Sequence, residues 1–379
     1  MLSIPVSPPI TEYLHMKAAR FLIPLSGTFE LTPVCNMNCR MCYVRMDKKK
    51  QESIRPLHSA QDWIKLGQEC KDRGMLYLLL TGGEPFLHPE FKEIMQSLHK
   101  MGLMISINSN GTMIDESVIE WLKETPPVRI NITLYGASDE TYERLCRNPK
   151  GFTQATRAIK LLKENHINVK INCSVTPHNA QDLEEIIAFC RKENLVIQPT
   201  SYMFPPMRKD KNKIGTNDRF TPFEAAYYAA KIELYLNGRE SFIEKYKNND
   251  FSNIGAESEC TYEEGEKIRC RAGTTSFWVT WDGKLFPCGM IIDENAKDVF
   301  LDGFDDAWRY AIDYSRGIRL PKECRACNLK NICRACAAMV LTETGSYDKV
   351  PEYKCQMTKS YPMAFKKVYD EIKEQNNEE

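Results

Sequence analysis

The stretch TFELTPVCNMNCRMCY, residues 28–43, runs from a β-strand into a cysteine loop. Phe29 and Leu31 alternate with Glu30 and Thr32, the period of two expected of a strand with one apolar face. Cys35, Cys39 and Cys42 follow at once, with Tyr43 directly after them. The same alternation recurs downstream. Ile105 and Ile107 alternate with Ser106 and Asn108; Ile130, Ile132 and Leu134 alternate with Asn131, Thr133 and Tyr135. Val169, Ile171, Cys173 and Val175 alternate with Lys170, Asn172, Ser174 and Thr176.

The β-rich runs are Thr28–Thr32, Met75–Thr81, Met104–Asn108, Arg129–Tyr135, Asn168–Thr176 and Val196–Tyr202. Amphipathic stretches separate them near Ser59–Arg73, Pro89–Met101, Asp115–Glu124, Gly151–Asn165 and Asp182–Glu193. Strand and helix in alternation predict a parallel sheet with right-handed crossovers. A parallel strand covered on both faces reads as continuously apolar, yet here one face is polar. The apolar face is assigned to the covering helices and the polar face to a lumen. A closed eight-stranded barrel fills its interior with branched apolar side chains, so a polar interior predicts an open, partial (β/α)6 barrel. An antiparallel sheet with one wet face is the weaker reading, because helices separate the strands. The parity also puts Cys173 on the helix side.

A chain of 379 residues is long for one compact core and suggests a large domain with a smaller one. Fifty-one basic residues balance fifty-one acidic ones, which gives no net attraction to nucleic acid or to an anionic membrane. Pro5, Pro8, Pro9 and Pro24 interrupt the N-terminus, which shows no secretory signal. The longest apolar run, Met75–Leu80, is too short to span a bilayer. The expectation is a cytoplasmic protein with neither membrane nor nucleic acid as partner.

In a reducing compartment fifteen cysteines are not a disulfide framework, and clustered ones point to metal ligation. Cys70, Cys146, Cys173 and Cys190 are scattered singly and read as small buried hydrophobes. Cys260, Cys270, Cys288, Cys324, Cys327, Cys333, Cys336 and Cys355 fill the last third. The expected division is an N-terminal segment (1–27), the barrel core (28–215), a helical linker (216–259), a small cysteine-rich α+β domain (260–360) and a charged tail (361–379), an exposed helix or frayed.

Three thiolates spaced C-x3-C-x2-C can wrap one corner of a cubane cluster and leave the fourth iron without a protein ligand. The amino and carboxylate groups of S-adenosylmethionine can chelate such an iron. Zinc sites favour paired C-x2-4-C units and four ligands, so zinc is the poorer reading. Thr81-Gly82-Gly83-Glu84-Pro85 ends the second run; alone it would be an ordinary turn, but it follows the triad by about one β/α unit. Cys324-Arg-Ala-Cys327, then Cys333-Arg-Ala-Cys336, would in isolation suit a zinc ribbon.

Together these motifs resemble the radical S-adenosylmethionine (SAM) superfamily, in particular members with a SPASM C-terminal extension, over roughly residues 28–360. The resemblance implies one 4Fe–4S cluster on Cys35, Cys39 and Cys42, coordinated with S-adenosylmethionine. It assigns the cofactor to Tyr43, Gly82, Gly83, Glu84, Pro85, Asn110 and Ser174, with Glu84 on the methionyl amino group and Asn110 near the ribose. Arg144 or Arg147 would reach the methionyl carboxylate, and Tyr135-Gly136 stands where many relatives have Asp-Gly.

The SPASM pattern covers Cys270, Cys288, Cys324, Cys327, Cys333, Cys336 and Cys355. One departure is that Cys336 follows Cys333 after two residues instead of the usual three. With Cys260 as the eighth thiol, two auxiliary 4Fe–4S clusters are expected. One would sit on Cys260, Cys270, Cys288 and Cys336, the other on Cys324, Cys327, Cys333 and Cys355. Gln198 and Tyr202, late on the sixth run, are expected to meet substrate.

The implied activity is reductive cleavage of S-adenosylmethionine to a 5′-deoxyadenosyl radical that takes hydrogen from a peptide or protein, leading to a crosslink or oxidation. Radical modification of a small molecule in tetrapyrrole or quinone-cofactor biosynthesis is the alternative. A non-catalytic iron–sulfur electron carrier is a third reading, against which the open iron argues. Expected partners are a low-potential donor such as flavodoxin or ferredoxin. With about 27 residues before the first run, either a separate leader-peptide-binding protein is expected or the core itself reads the substrate. Lys48–Lys50 and the run Arg208, Lys209, Lys211 and Lys213 would lie at the barrel mouth, where they could attract an acidic peptide.

Overall fold

Short strands with one polar face need hydrogen-bonded neighbours on their edges and a helix on the apolar side. The computed structural model, which describes residues 9–252, 254, 261–262 and 268–378, meets both needs. Strands β1 (Ser26–Glu30), β2 (Tyr77–Thr81), β3 (Met104–Ser109), β4 (Arg129–Thr133), β5 (Val169–Ser174) and β6 (Val196–Thr200) pair in parallel, each with the next. Helices Ala60–Asp72, Phe91–Lys100, Glu116–Glu124, Gly151–Glu164 and Leu183–Lys192 form the crossovers. Ser59 opens the first of these with a capping box to Asp62. One helix, Asp139–Cys146, was not expected; Ser138 caps it, and it brings Cys146 back toward the triad loop.

The parity expected from the sequence is present. Ile105, Ile107, Ile130, Ile132, Ile171 and Cys173 are buried beneath the helices, while Ser106, Asn108, Lys170, Asn172 and Ser174 on the other face are only half-buried. Cys173 sits near Cys190 of the last crossover helix, on the side away from the lumen.

Two features depart from the sequence reading. The cysteine-rich part was expected as a small domain of its own, yet its strands β7 (Ser276–Val279) and β8 (Leu285–Phe286) join the barrel sheet. β7 runs parallel to β1 on its free edge and β8 antiparallel to β7, giving the order β8-β7-β1-β2-β3-β4-β5-β6. The cysteine-rich part thus continues the barrel wall. The tail is a helix, but a packed one: helix Tyr361–Glu378 buries Tyr361, Ala364, Phe365, Val368 and Ile372, and it packs on helix Pro222–Asn237. Those residues recur at the spacing of one helical face, which the many charges between them obscured.

The sheet stays open between β6 and β8, and one buried ion pair spans the gap. Arg208, on the loop after β6, donates to both carboxylate oxygens of Glu30 on β1 at 2.9 Å and to the Gly289 carbonyl at 3.0 Å. Trp278 of β7 donates its indole N–H to the same carboxylate at 3.1 Å. Among the described residues no helix is long and apolar enough to cross a membrane.

Candidate active site

Cys35, Cys39 and Cys42 lie on the loop leaving β1, at the C-terminal end of the strands, where parallel α/β barrels build their sites. Burial pushes the Cys35 thiol up to about 12, and the nearby Glu84, Cys39 and Cys42 act in the same direction. Cys39 is pushed up most by a hydrogen bond with Cys146, then by burial, and Cys42 by burial. Backbone N–H groups nevertheless point at the sulfurs: Met37 donates to Cys35 at 3.4 Å and Arg45 to Cys42 at 3.2 Å. Thiols supplied with N–H donors but held protonated by burial need a strong cation before they ionise, and an iron–sulfur cluster supplies one. Among the described residues no three Cys, His, Asp or Glu side chains converge tightly enough for a single metal ion.

The glycines of the next turn are explained by contact. A Cβ on Gly82 would meet the Thr32 carbonyl oxygen at 2.4 Å, and one on Gly83 the Val34 carbonyl oxygen at 2.4 Å. Without side chains, the turn lies directly on the triad loop, with Gly83 N–H donating to Thr32 at 2.6 Å and Glu84 N–H to Val34 at 2.9 Å. Pro85 then starts a short 3-10 turn that Glu84 caps. Glu84 is fully buried and accepts from the Ser109 hydroxyl at 2.9 Å, from Asn110 N–H at 2.8 Å and from Phe86 N–H at 3.3 Å. Burial raises its carboxyl to about 7. Glu84 therefore ties the ends of β2 and β3 together beneath the triad. Asn110 extends from the same corner, donating to Asn36 at 2.9 Å and to the Cys35 sulfur at 3.7 Å.

The other expected residues are divided. Ser174 hydrogen-bonds Tyr135, a half-buried tyrosine close to Cys39 and Cys42. Arg144 is turned onto the His178 carbonyl, donating at 2.9 and 3.0 Å. Arg147 is exposed at the left-handed end of its helix. Gln198 faces the lumen, where its amide oxygen accepts from Lys170. Tyr202 does not face substrate: it is 2% exposed, and its hydroxyl donates to Glu343 at 2.6 Å. With Arg219, which pairs to the same carboxylate at 2.6 Å, it fastens the exit of β6 to the cysteine-rich part.

Tyr43 stands against Arg208, whose guanidinium lies 5.8 Å from the ring centre. Both line a cavity of about 180 Å³ together with Glu30, Lys50, Lys209 and Trp281. The basic runs are thus partly neutralised: Arg208 by Glu30, Lys48 by Glu52 and Lys211 by Glu294. A feature missed in the sequence is His178, which shares a 2.8 Å hydrogen bond with Asp218 while Arg40 lies 3.7 Å from that carboxylate. These residues are distant in the chain and carry no periodic signal.

The C-terminal thiols gather in two groups. Cys288 lies within electrostatic reach of Cys336 and Cys270, and the three line a cavity of about 260 Å³. Cys324 is similarly placed with Cys333, Cys355 and Cys327. Burial raises Cys288 to about 12 and Cys324 to about 11. Backbone N–H groups again point at sulfur: Ala272 to Cys270 at 3.5 Å, Leu329 to Cys327 and Met339 to Cys336 at 3.4 Å. Cys260 lies outside the described residues.

This arrangement defines an α/β fold that gathers three cysteines over a polar half-barrel. Residues 29–190 match the Radical SAM superfamily, and the chain is a radical SAM enzyme. The family implies a 4Fe–4S cluster that works with S-adenosylmethionine. The chain is 24% identical over 328 residues to the AdoMet-dependent heme synthase of Methanosarcina barkeri, covering 84% of this chain and 93% of that protein. It is 29% identical over 286 residues to the sporulation killing factor maturation protein SkfB of Bacillus subtilis, covering 73% of this chain and 65% of that protein. Among solved structures, Streptococcus suis SuiB bound to precursor peptide SuiA shares the fold. The TM-score is 0.65 at 18% identity, over 91% of this chain and 78% of that one.

Proposed function

We propose that this enzyme modifies a peptide or protein by hydrogen abstraction, in the manner of a SPASM-type maturase. The observation that carries the reading is the open sheet with a polar inner face beneath the triad. An extended peptide can enter a lumen that is not closed by hydrogen bonds, and its polar backbone finds partners there. The similar maturation proteins and the peptide in the SuiB structure support this choice. A small tetrapyrrole substrate is the second reading, favoured by the fuller alignment to the heme synthase.

On this reading Cys35, Cys39 and Cys42 would hold the cluster, which would supply the electron for reductive cleavage of S-adenosylmethionine. Gly82 and Gly83 leave the space, Glu84 sets the corner and faces the methionyl ammonium, and Asn110 and Ser174 border the nucleoside. Tyr43 closes the wall below. Cys270, Cys288 and Cys336, with Cys260, would hold one auxiliary 4Fe–4S cluster, and Cys324, Cys327, Cys333 and Cys355 a second; both would carry electrons, since no iron is left open. A flavodoxin or ferredoxin would reduce the enzyme.

The test is anaerobic reconstitution with dithionite and S-adenosylmethionine, followed by assay for 5′-deoxyadenosine and by mass analysis of a short precursor peptide encoded beside the gene. Protein with all three clusters holds roughly 12 irons. Nucleoside no higher than in a Cys35, Cys39 and Cys42 to Ala control would overturn the assigned site. An unmodified peptide alongside consumption of a propionate-bearing tetrapyrrole would move the substrate to the second reading.

A further inference from the structure

At the foot of the lumen two cations face inward with no acid between them. Arg129 opens β4 and Lys170 is the second residue of β5, and both follow the parity of the polar face. The register sets Lys170 beside Asn131, so Arg129 is its diagonal neighbour one pleat lower, at roughly 7–8 Å between backbones. Among the described residues neither has a carboxylate partner. Lys170 donates to the neutral Gln198 amide, and the groups acting on its charge are burial and then Arg129. The Arg129 Nε is buried without a hydrogen-bond partner, and burial alone acts on its charge. Asn131, 6% exposed, gives its amide N–H to Asn108 at 2.7 Å, while its Oδ1 also lacks a partner.

A buried polar atom without a partner costs stability unless something else meets it. What is unmet here is one donor, Arg129 Nε, and one acceptor, Asn131 Oδ1, beside two positive charges with no carboxylate among the described residues. A doubly ionised phosphate monoester supplies acceptors for the cations but no donor for Asn131, and inorganic phosphate brings only its one or two hydroxyls. An acidic residue within a peptide supplies both, a carboxylate and a backbone N–H close by.

We propose that Arg129 and Lys170 anchor a substrate carboxylate, with Asn131 Oδ1 receiving an adjacent peptide N–H. The proposal rests on the peptide-modification reading and narrows it to an acidic peptide. Lys170 lies four residues before Ser174, about 13 Å lower along β5 at the rise of a strand. An extended peptide covers that distance in about four residues. The anchored Asp or Glu is therefore about four positions from the residue that is modified, and it positions the substrate without reacting.

Because Lys170 is held down to about 8, its amine is an acylation target whose reactivity falls when an anion pairs with it. The experiment is trace acetic-anhydride labelling of the reconstituted holoenzyme near neutral-to-basic pH, read at Lys170 by mass spectrometry. The probes are acetyl-Ala-Glu-Ala-amide, its Gln counterpart and inorganic phosphate. With the Glu peptide at about four times its dissociation constant, mass action predicts about fivefold slower labelling of Lys170. The Gln peptide should not protect. In Arg129→Gln the protection should disappear while the iron content and cluster absorbance of the reconstituted protein are retained. Unaltered Lys170 labelling with the Glu peptide, or protection by phosphate but not by that peptide, overturns the proposal. Protection by the Glu peptide together with no modification of any precursor peptide would keep the anchor and refute the maturase reading instead.

Discussion

Replacing Arg208 by Met should destabilise the protein more than replacing Arg208 and Glu30 together. The Glu30 side chain is 1% exposed and that of Arg208 12%, so neither can fall back on water. At an effective dielectric near 20, a pair at about 4 Å is worth about 4 kcal/mol of attraction, and desolvation of both charges offsets much of it. Arg208→Met keeps most of the apolar stem but leaves a buried carboxylate with one neutral donor, Trp278, in place of three N–H contacts. Breaking a buried pair in this way costs about 3–5 kcal/mol, whereas replacing both partners by neutral groups is often close to neutral. The double variant Arg208→Met/Glu30→Gln should therefore recover about 2 kcal/mol or more of the single loss. The assay is urea unfolding of the anaerobic holoenzyme followed by tryptophan fluorescence, completed as a double-mutant cycle. A single variant within about 1 kcal/mol of the parent would refute the reasoning, since a surface-like pair is worth no more than that. So would additive losses, which would mean that the two charges do not depend on each other.

Glu84→Gln should weaken S-adenosylmethionine binding by roughly 1.5–3 kcal/mol, the range for a hydrogen bond to a charged group; unchanged affinity in a titration of the reconstituted protein would remove Glu84 from the ammonium site. His15 is buried, shares a 2.8 Å hydrogen bond with Thr275, and is lowered to about 4 by burial first and then by Arg271. An ordinary histidine titrates near 6.5, so between the two values the unfolded chain binds the extra proton. The stability tied to a neutral His15 is then complete above about 6.5 and is lost as the pH falls toward 4. Melting temperature against pH should fall less steeply over that window in His15→Gln, and identical curves would show that His15 carries none of it.

Much of the molecule was legible in the sequence because the deciding signals are local. Alternation in Val169–Val175 places Ile171 and Cys173 on one face of a strand whatever surrounds it, since the period of two belongs to the strand. The triad and the Gly82-Gly83 turn were readable for a similar reason: spacing within a loop limits what three thiols can wrap, and the glycines mark a close backbone approach. Periodicity says which face a side chain takes but not what stands opposite it. Tyr202 has the lumen parity and still bonds Glu343, because the exit of β6 meets the cysteine-rich part there. The tail was misjudged because counting charges hides a single apolar face. Four facts depended on which strand edges meet and in what register: the addition of β7 to β1, the Arg208–Glu30 clasp, the Cys39–Cys146 contact and the inward pairing of Arg129 with Lys170. Chain neighbours do not specify those meetings; only packing and hydrogen bonding between distant segments do, and they decided them in the tertiary structure.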